Sequence, residues 1–262
     1  MATVRSLDSQ RRTRDSQHCF AGFILEKQRE RASAFTLLEL VIVVGIIALL
    51  LVLIAPAFTT IKSATDVTNT AYTIKGALDT ARTYAKANNT YAWIGFAGSI
   101  GSNITGNVAI SVVASKDGTD LGTSKNITGP RVDITSGVTP IGKVIRLDNT
   151  HIGDTGTPTN SGTDFESRPP VNPNYRIGVQ GSPYDSDYYF KEQGTQFDRW
   201  IRFSPRGEAV VKGGATQVTP YAEVGILPTH GTALAVAIDP ATGNVAAIHV
   251  SGFGGAVRIY RR

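Results

Sequence analysis

Hydrophobic and polar positions divide this chain into blocks of very different character. From Leu40 to Phe58 no side chain is charged or polar: LVIVVGIIALLLVLIAPAF. As a helix rising about 1.5 Å per residue, that run spans roughly 28 Å, close to the ~30 Å hydrocarbon core of a bilayer. A helix buried in a protein core normally keeps one polar face, and this one has none. The pattern predicts a membrane-embedded helix over residues 35–58. Lys27, Arg29 and Arg31 stand just before the run, whereas Lys62 is the lone basic residue in the dozen after it. The positive-inside rule then places the N-terminus in the cytoplasm and exports the C-terminal domain. A conventional secretory signal fits less well. Its apolar stretch is shorter, and Ala55-Pro56-Ala57 makes a poor small-x-small cleavage site.

The helical period continues past the run in a different form. Ala64, Val67, Ala71, Ile74, Leu78, Ala81 and Ala85 recur at alternating spacings of three and four, with Lys62, Asp66, Asn69, Lys75, Asp79, Arg82 and Lys86 between them. This single narrow stripe predicts a helix over 59–89 packed on a sheet, ended by Asn88-Asn89. Beyond it the period changes to that of strands. Tyr91–Phe96, Val108–Val113 and Lys143–Leu147 are short apolar pieces among Gly, Ser, Thr, Asn and Asp, and residues 152–174 read as an exposed loop. Trp200–Phe203 and Glu208–Val211 flank the turn Ser204-Pro205-Arg206-Gly207. Ala233–Ile238 and Val245–Val250 flank a second turn over Asp239–Asn244, and Ala256–Tyr260 closes the sheet. The expected fold class is α+β: a long N-terminal helix, membrane-embedded in its first half, packed on an antiparallel C-terminal β-sheet. Its parts are a leader over 1–34, the two helical halves 35–58 and 59–89, and a β-rich domain over 90–262 with a loop-rich insertion at about 98–195.

Composition narrows the chemistry. The single Cys19 allows no intrachain disulfide and no Cys-x-x-Cys metal or redox motif. Residues 1–34 contain seven Lys or Arg and four Asp or Glu, so +3 of the net charge of +5 sits there and +2 on the remainder. Charge therefore gives no reason to expect a nucleic-acid partner. No nucleophile elbow, phosphate-binding glycine loop or metalloprotease spacing occurs. Ser251-Gly252-Phe253-Gly254-Gly255 reads as a turn. Asp185 and Asp187 are weak calcium candidates that lack a fuller ligand set. Tyr188, Tyr189 and Phe190 read as loop anchors, His151, His230 and His249 as surface or satisfied core histidines, and Arg258, Arg261 and Arg262 as a solvated basic end. The expectation is a non-enzyme without cofactor or metal.

The junction Ala34-Phe35-Thr36-Leu37-Leu38-Glu39-Leu40, set between a basic leader and the apolar run, resembles the prepilin motif of type IV pilins and type II secretion pseudopilins. The likeness covers residues 31–58, with Ala34 standing where the family usually has glycine. It implies that prepilin peptidase cuts between Ala34 and Phe35 and methylates the Phe35 amine. It further implies that Glu39 becomes the fifth residue of the mature chain and Pro56 the twenty-second, both acting in subunit assembly. A carboxylate near lipid is costly, and the Phe35 amine of a neighbouring subunit could neutralise it. A weaker likeness to H-type minor pseudopilins rests on Ile201, Phe203, Pro205, Gly207, Thr242, Gly243 and Val245.

The resemblance implies a single-pass subunit of the bacterial inner membrane with a periplasmic domain. Such a subunit assembles into a type II secretion pseudopilus or type IV pilus, as a minor pseudopilin supporting protein secretion. Its partners would be prepilin peptidase, other pilins or pseudopilins, an inner-membrane assembly platform and the membrane itself. One alternative is a minor type IV pilin that binds DNA or surfaces, which asks for a basic face that the charge balance barely supports. The other is a periplasmic enzyme with an incidental anchor, which asks for a convergent catalytic set that the sequence does not display.

Overall fold

The structure is a computed structural model that describes residues 36–121, 131–179, 188–211, 220–234 and 243–262, with the side chains of residues 53–64 and of Leu234 outside that description. The chain divides into two compact units, Met1–Leu50 and Leu51–Arg262. Helix α1 (Leu37–Ala87) contributes to both.

In the first unit the helix begins with a reciprocal cap. The Glu39 backbone N–H donates to Thr36 Oγ1 at 3.2 Å, while the Thr36 backbone N–H and hydroxyl donate to Glu39 Oε2 at 3.0 and 2.9 Å. This capping box satisfies amides that the first turn otherwise leaves without acceptors. The apolar residues that follow are exposed.

In the second unit, fifteen strands occur among the described residues. The first seven are β1 (Ala92–Ile100), β2 (Asn103–Ser115), β3 (Val132–Asp133), β4 (Val138–Pro140), β5 (Ile145–Asp148), β6 (Thr150–Ile152) and β7 (Arg176–Ile177). The rest are β8 (Tyr188–Glu192), β9 (Thr195–Phe197), β10 (Arg199–Phe203), β11 (Ala209–Val210), β12 (Tyr221–His230), β13 (Ala233–Leu234), β14 (Ala246–Ser251) and β15 (Val257–Arg261). Twelve of them join one sheet, whose main path runs β11-β10-β1-β6-β12-β14-β15, and β3-β8-β9 form a small second sheet.

Side-chain alternation sorts the core into layers. Val67, Ala71, Ile74, Leu78, Ala81 and Ala85 of α1 pack on Ile94, Phe96, Ile201, Phe203, Val224 and Ile248 of the large sheet. The α1 stripe thus covers one sheet face. The odd-numbered residues of β1 point the other way, where Trp93 and Ala97 join Tyr188, Phe190, Phe197 and Trp200. Gly95 is what lets the small sheet come close: a Cβ there would lie 2.4 Å from Phe190 Cζ. Farther along the same face, Phe165, Leu227, Val245, Ala247 and Tyr260 form a third cluster.

Several expectations need correction. The α+β layout with a membrane-embedded helix on an antiparallel C-terminal sheet does not hold. The architecture is dominated by a large mixed sheet, in which β6 runs parallel to β1 and β7 parallel to β12. The cause lies in the 98–195 stretch, which supplies strands to the sheet interior instead of forming an appended loop. Among the described residues no helix is long and apolar enough to cross a membrane. The transmembrane, pilin-type layout and the single-pass inner-membrane placement are therefore set aside.

Smaller corrections follow the same lines. β13 pairs with β12, and β14 pairs with β12 and β15, so the expected hairpin partners are joined through β12, a strand the sequence reading omitted. Tyr188, Tyr189 and Phe190 belong to β8 and not to a loop. The leader, Ala34 and Phe35, Asp185 and Asp187, the Asp239–Thr242 part of the second turn and the Pro56 side chain lie outside the described residues.

Candidate functional site

Three places carry the chemistry that could matter: the start of α1, a buried ionic cluster on β12, and a serine–histidine pair on β1 and β6. The first is the most unusual for a protein surface. Thirteen large apolar side chains between Leu37 and Val52 are 47–81% exposed. They occupy nearly every position, so they clothe the helix on all sides. Glu39 is the sole ionisable side chain between Thr36 and Val52. Hydrogen bonds from Thr36, backbone first and hydroxyl second, hold its carboxyl below the ordinary value of 4.5. Glu39, expected to act between subunits, is thus engaged within its own chain by the helix cap. Pro56 falls within α1.

The ionic cluster was not anticipated. Glu223 sits on β12 with its side chain 1% exposed, opposite His249 in the β12–β14 register and beside Arg176 in the β7–β12 register. Its Oε2 accepts from Arg168 Nε at 3.2 Å and from His249 Nε2 at 2.7 Å, and its Oε1 accepts from the Thr155 hydroxyl at 2.8 Å. Arg176 Nε lies 3.7 Å from Oε1 and Arg176 also donates to Asp154 at 3.0 Å. Burial, the largest single influence, pushes the Glu223 carboxyl upward. The hydrogen bond and charge from His249, the Arg168 charge and the Thr155 hydroxyl together outweigh it, and the carboxyl ends below its ordinary value. His249 Nδ1 is buried with no hydrogen-bond partner among the described residues. The Glu223 oxygens are met by Arg168, His249, Thr155 and Arg176, all side chains of this chain. The cluster is therefore closed around internal partners and has the form of a structural clamp.

Ser99 and His151 resemble a catalytic pair only in composition. Ser99 Oγ lies 2.9 Å from His151 Nδ1, and it accepts from the Thr105 and Gly106 amides at 3.1 and 3.3 Å. Both residues are buried. The oxygen's acceptor capacity is used on backbone amides, and burial holds the imidazole below its ordinary value of 6.5. A neutral, enclosed imidazole beside a saturated hydroxyl supplies no nucleophile to a substrate.

Two further features complete the picture. An apolar groove of about 350 Å³ runs beside Gly76, Ala77 and Thr80 of α1, with Ile110, Ile141 and Lys143 on its far side. Among the described residues no group of three or more His, Cys, Asp or Glu side chains is placed to hold a metal ion. The expected solvated basic end is partly tied down: Arg258 pairs with Asp164 and Arg262 with Glu166. The sequence offered one signal for the cluster, a carboxylate at Glu223 inside the otherwise apolar Ala222–Leu227. No family model matches the chain, and no curated protein and no solved structure is similar to it.

Proposed function

We propose that this protein is a non-catalytic assembly subunit whose apolar helix segment, residues 37–52, packs against the same segment of neighbouring subunits to build a filament. The observation that carries this reading is the exposure of apolar side chains on every side of that segment. An isolated soluble protein gains nothing from such a surface, which costs roughly 25 cal/mol for each Å² left in water. A single partner would cover one side only. A segment that is apolar all round needs several neighbours, as at the centre of a bundle. Glu39 adds a constraint. Once neighbours enclose it, its charge needs a cationic partner or becomes expensive, and the amine of a neighbouring Phe35 has the right sign.

The prepilin-like junction supports placing the filament among type II secretion pseudopili and type IV pili, with this subunit in a minor position. Prepilin peptidase, other pilin-like subunits and an assembly platform would then be its partners. The test is sedimentation of the full chain beside an Ile47→Asp variant. The wild type should sediment as a multi-subunit species. The variant should sediment as a monomer with an unchanged β-sheet circular dichroism spectrum, because Ile47 lies outside the sheet core. A monomeric wild type, or an assembly indifferent to a charge at position 47, would refute the proposal.

A further inference from the structure

The stretch between β6 and β12's ionic cluster is the least explained part of the molecule. Residues 153–176 have little regular structure, only a short 3₁₀ turn (Pro173–Tyr175) followed by Arg176 in β7. They nonetheless bury Thr155, Phe165, Glu166, Arg168 and Val171. Only Phe165 and Val171 among these are apolar, so burial of hydrocarbon is not what fixes this segment.

Charge holds it instead, at three points. Arg168 ties both limbs of the loop together, donating to the Thr155 and Gly156 carbonyls at 3.1 and 2.5 Å and to the Phe165 carbonyl at 2.9 Å, while its Nε reaches Glu223. Arg176 closes the base, donating to the Val171 carbonyl at 3.0 Å and to Asp154. On the outside, Glu166 and Asp164 meet Arg262 and Arg258, and the Arg168 and Arg262 guanidiniums lie 4.1 and 5.0 Å from the Phe165 ring. The first two fixings converge on Glu223, the one carboxylate supplied by the sheet itself.

We infer that residues 153–176 are a releasable strap over the large sheet, latched by the Glu223 carboxylate. Without that carboxylate, the buried Arg168 guanidinium loses its counter-charge, Arg176 keeps only Asp154, and the strap loses its seat. Its release bares Leu227, Val245, Ala247 and Tyr260, the cluster that Phe165 covers. The opposite sheet face keeps its cover, because α1 packs there through a separate set of residues. The seat is also tight. Gly153 N–H donates to the Gly225 carbonyl at 3.1 Å. A Cβ on Gly225 would meet the Gly153 oxygen at 2.2 Å and Thr155 Cγ2 at 2.6 Å. A methyl at position 225 is therefore a wedge aimed at the strap from the sheet side, independent of charge.

Hydrogen exchange of the full chain, read by mass spectrometry, tests this with Glu223→Gln and Gly225→Ala. Amides of 154–170 should exchange about tenfold faster or more in each variant, since a hydrogen bond to a charged group is lost or its geometry forced apart. Peptides covering β1 and residues 74–85 of α1 should keep their wild-type rates. Acceleration confined to the strap in either variant upholds the inference. No acceleration in either variant, or equal acceleration of strap, β1 and α1 in both, overturns it by showing the strap to be an inseparable part of the core.

Discussion

Truncating Leu78 to alanine probes the contact on which the second unit depends. Leu78 is fully buried on α1 and belongs to the cluster that joins the helix stripe to the large sheet. The change removes about three methylene equivalents, each worth about 0.8 kcal/mol of transfer free energy, or about 2.4 kcal/mol. A cavity term raises the total to roughly 3–4 kcal/mol, inside the span seen for such truncations. For a unit of this size each kcal/mol shifts the melting temperature by about 2–4 °C, so the Leu78→Ala midpoint should fall by roughly 6–16 °C. Leu78→Asp should be worse, because it buries an unpaired carboxylate in the same place. The assay is thermal unfolding of a fragment beginning at Leu51, where the compact unit begins. Tyr72→Ala is the control: that side chain is 63% exposed, and its loss should move stability by less than about 0.5 kcal/mol. Equal melting of Leu78→Ala and wild type would mean that the stripe does not pack on the sheet.

Two more outcomes are expected. His151 is held neutral by burial, so its contribution is complete above 6.5 and is lost as pH falls from there through its lowered folded value; urea midpoints measured across that window should decline more steeply for the wild type than for His151→Gln. Gly95→Ala should cost about 1–3 kcal/mol, since its methyl drives into Phe190 and Phe197, and near-ultraviolet circular dichroism should report the displaced aromatic pair.

How legible these features were in the sequence depends on what holds each one. The α1 stripe could be read because its partner is a flat apolar face, and a face imposes a strict three-and-four spacing. Val67, Ala71, Ile74, Leu78, Ala81 and Ala85 all obey it and all are buried. The Ser204–Gly207 turn was readable from local chemistry: Gly207 adopts φ +86° and its amide donates to the Ser204 carbonyl at 2.8 Å. β12 was not readable. Glu223, Gly225 and Pro228 interrupt its pattern, and the first two are explained only by the distant Arg168 and Gly153. The strap was read as an exposed loop for the same reason. Its polar composition signals solvent until Arg168 and Glu223, far apart in sequence, are seen to meet. The apolar run of α1 was legible as a run, but its surroundings were not, because the side chains say what they avoid and not what covers them.

The order of strands in the large sheet bears on how the protein is made. β1 is synthesised early, yet two of its three strand neighbours, β6 and β10, emerge from the ribosome about 50 and 100 residues later. The sheet face that receives α1 is not finished until Ile248 and Val250 of β14 are in place. Throughout elongation the α1 stripe therefore has hydrocarbon ready and only part of its seat built. Long-range pairing of this kind slows folding and leaves partly built sheets prone to association. The nascent chain thus stays sticky until β14 has been made, and a factor that shields apolar helices during translation should raise its yield more than one that acts after release.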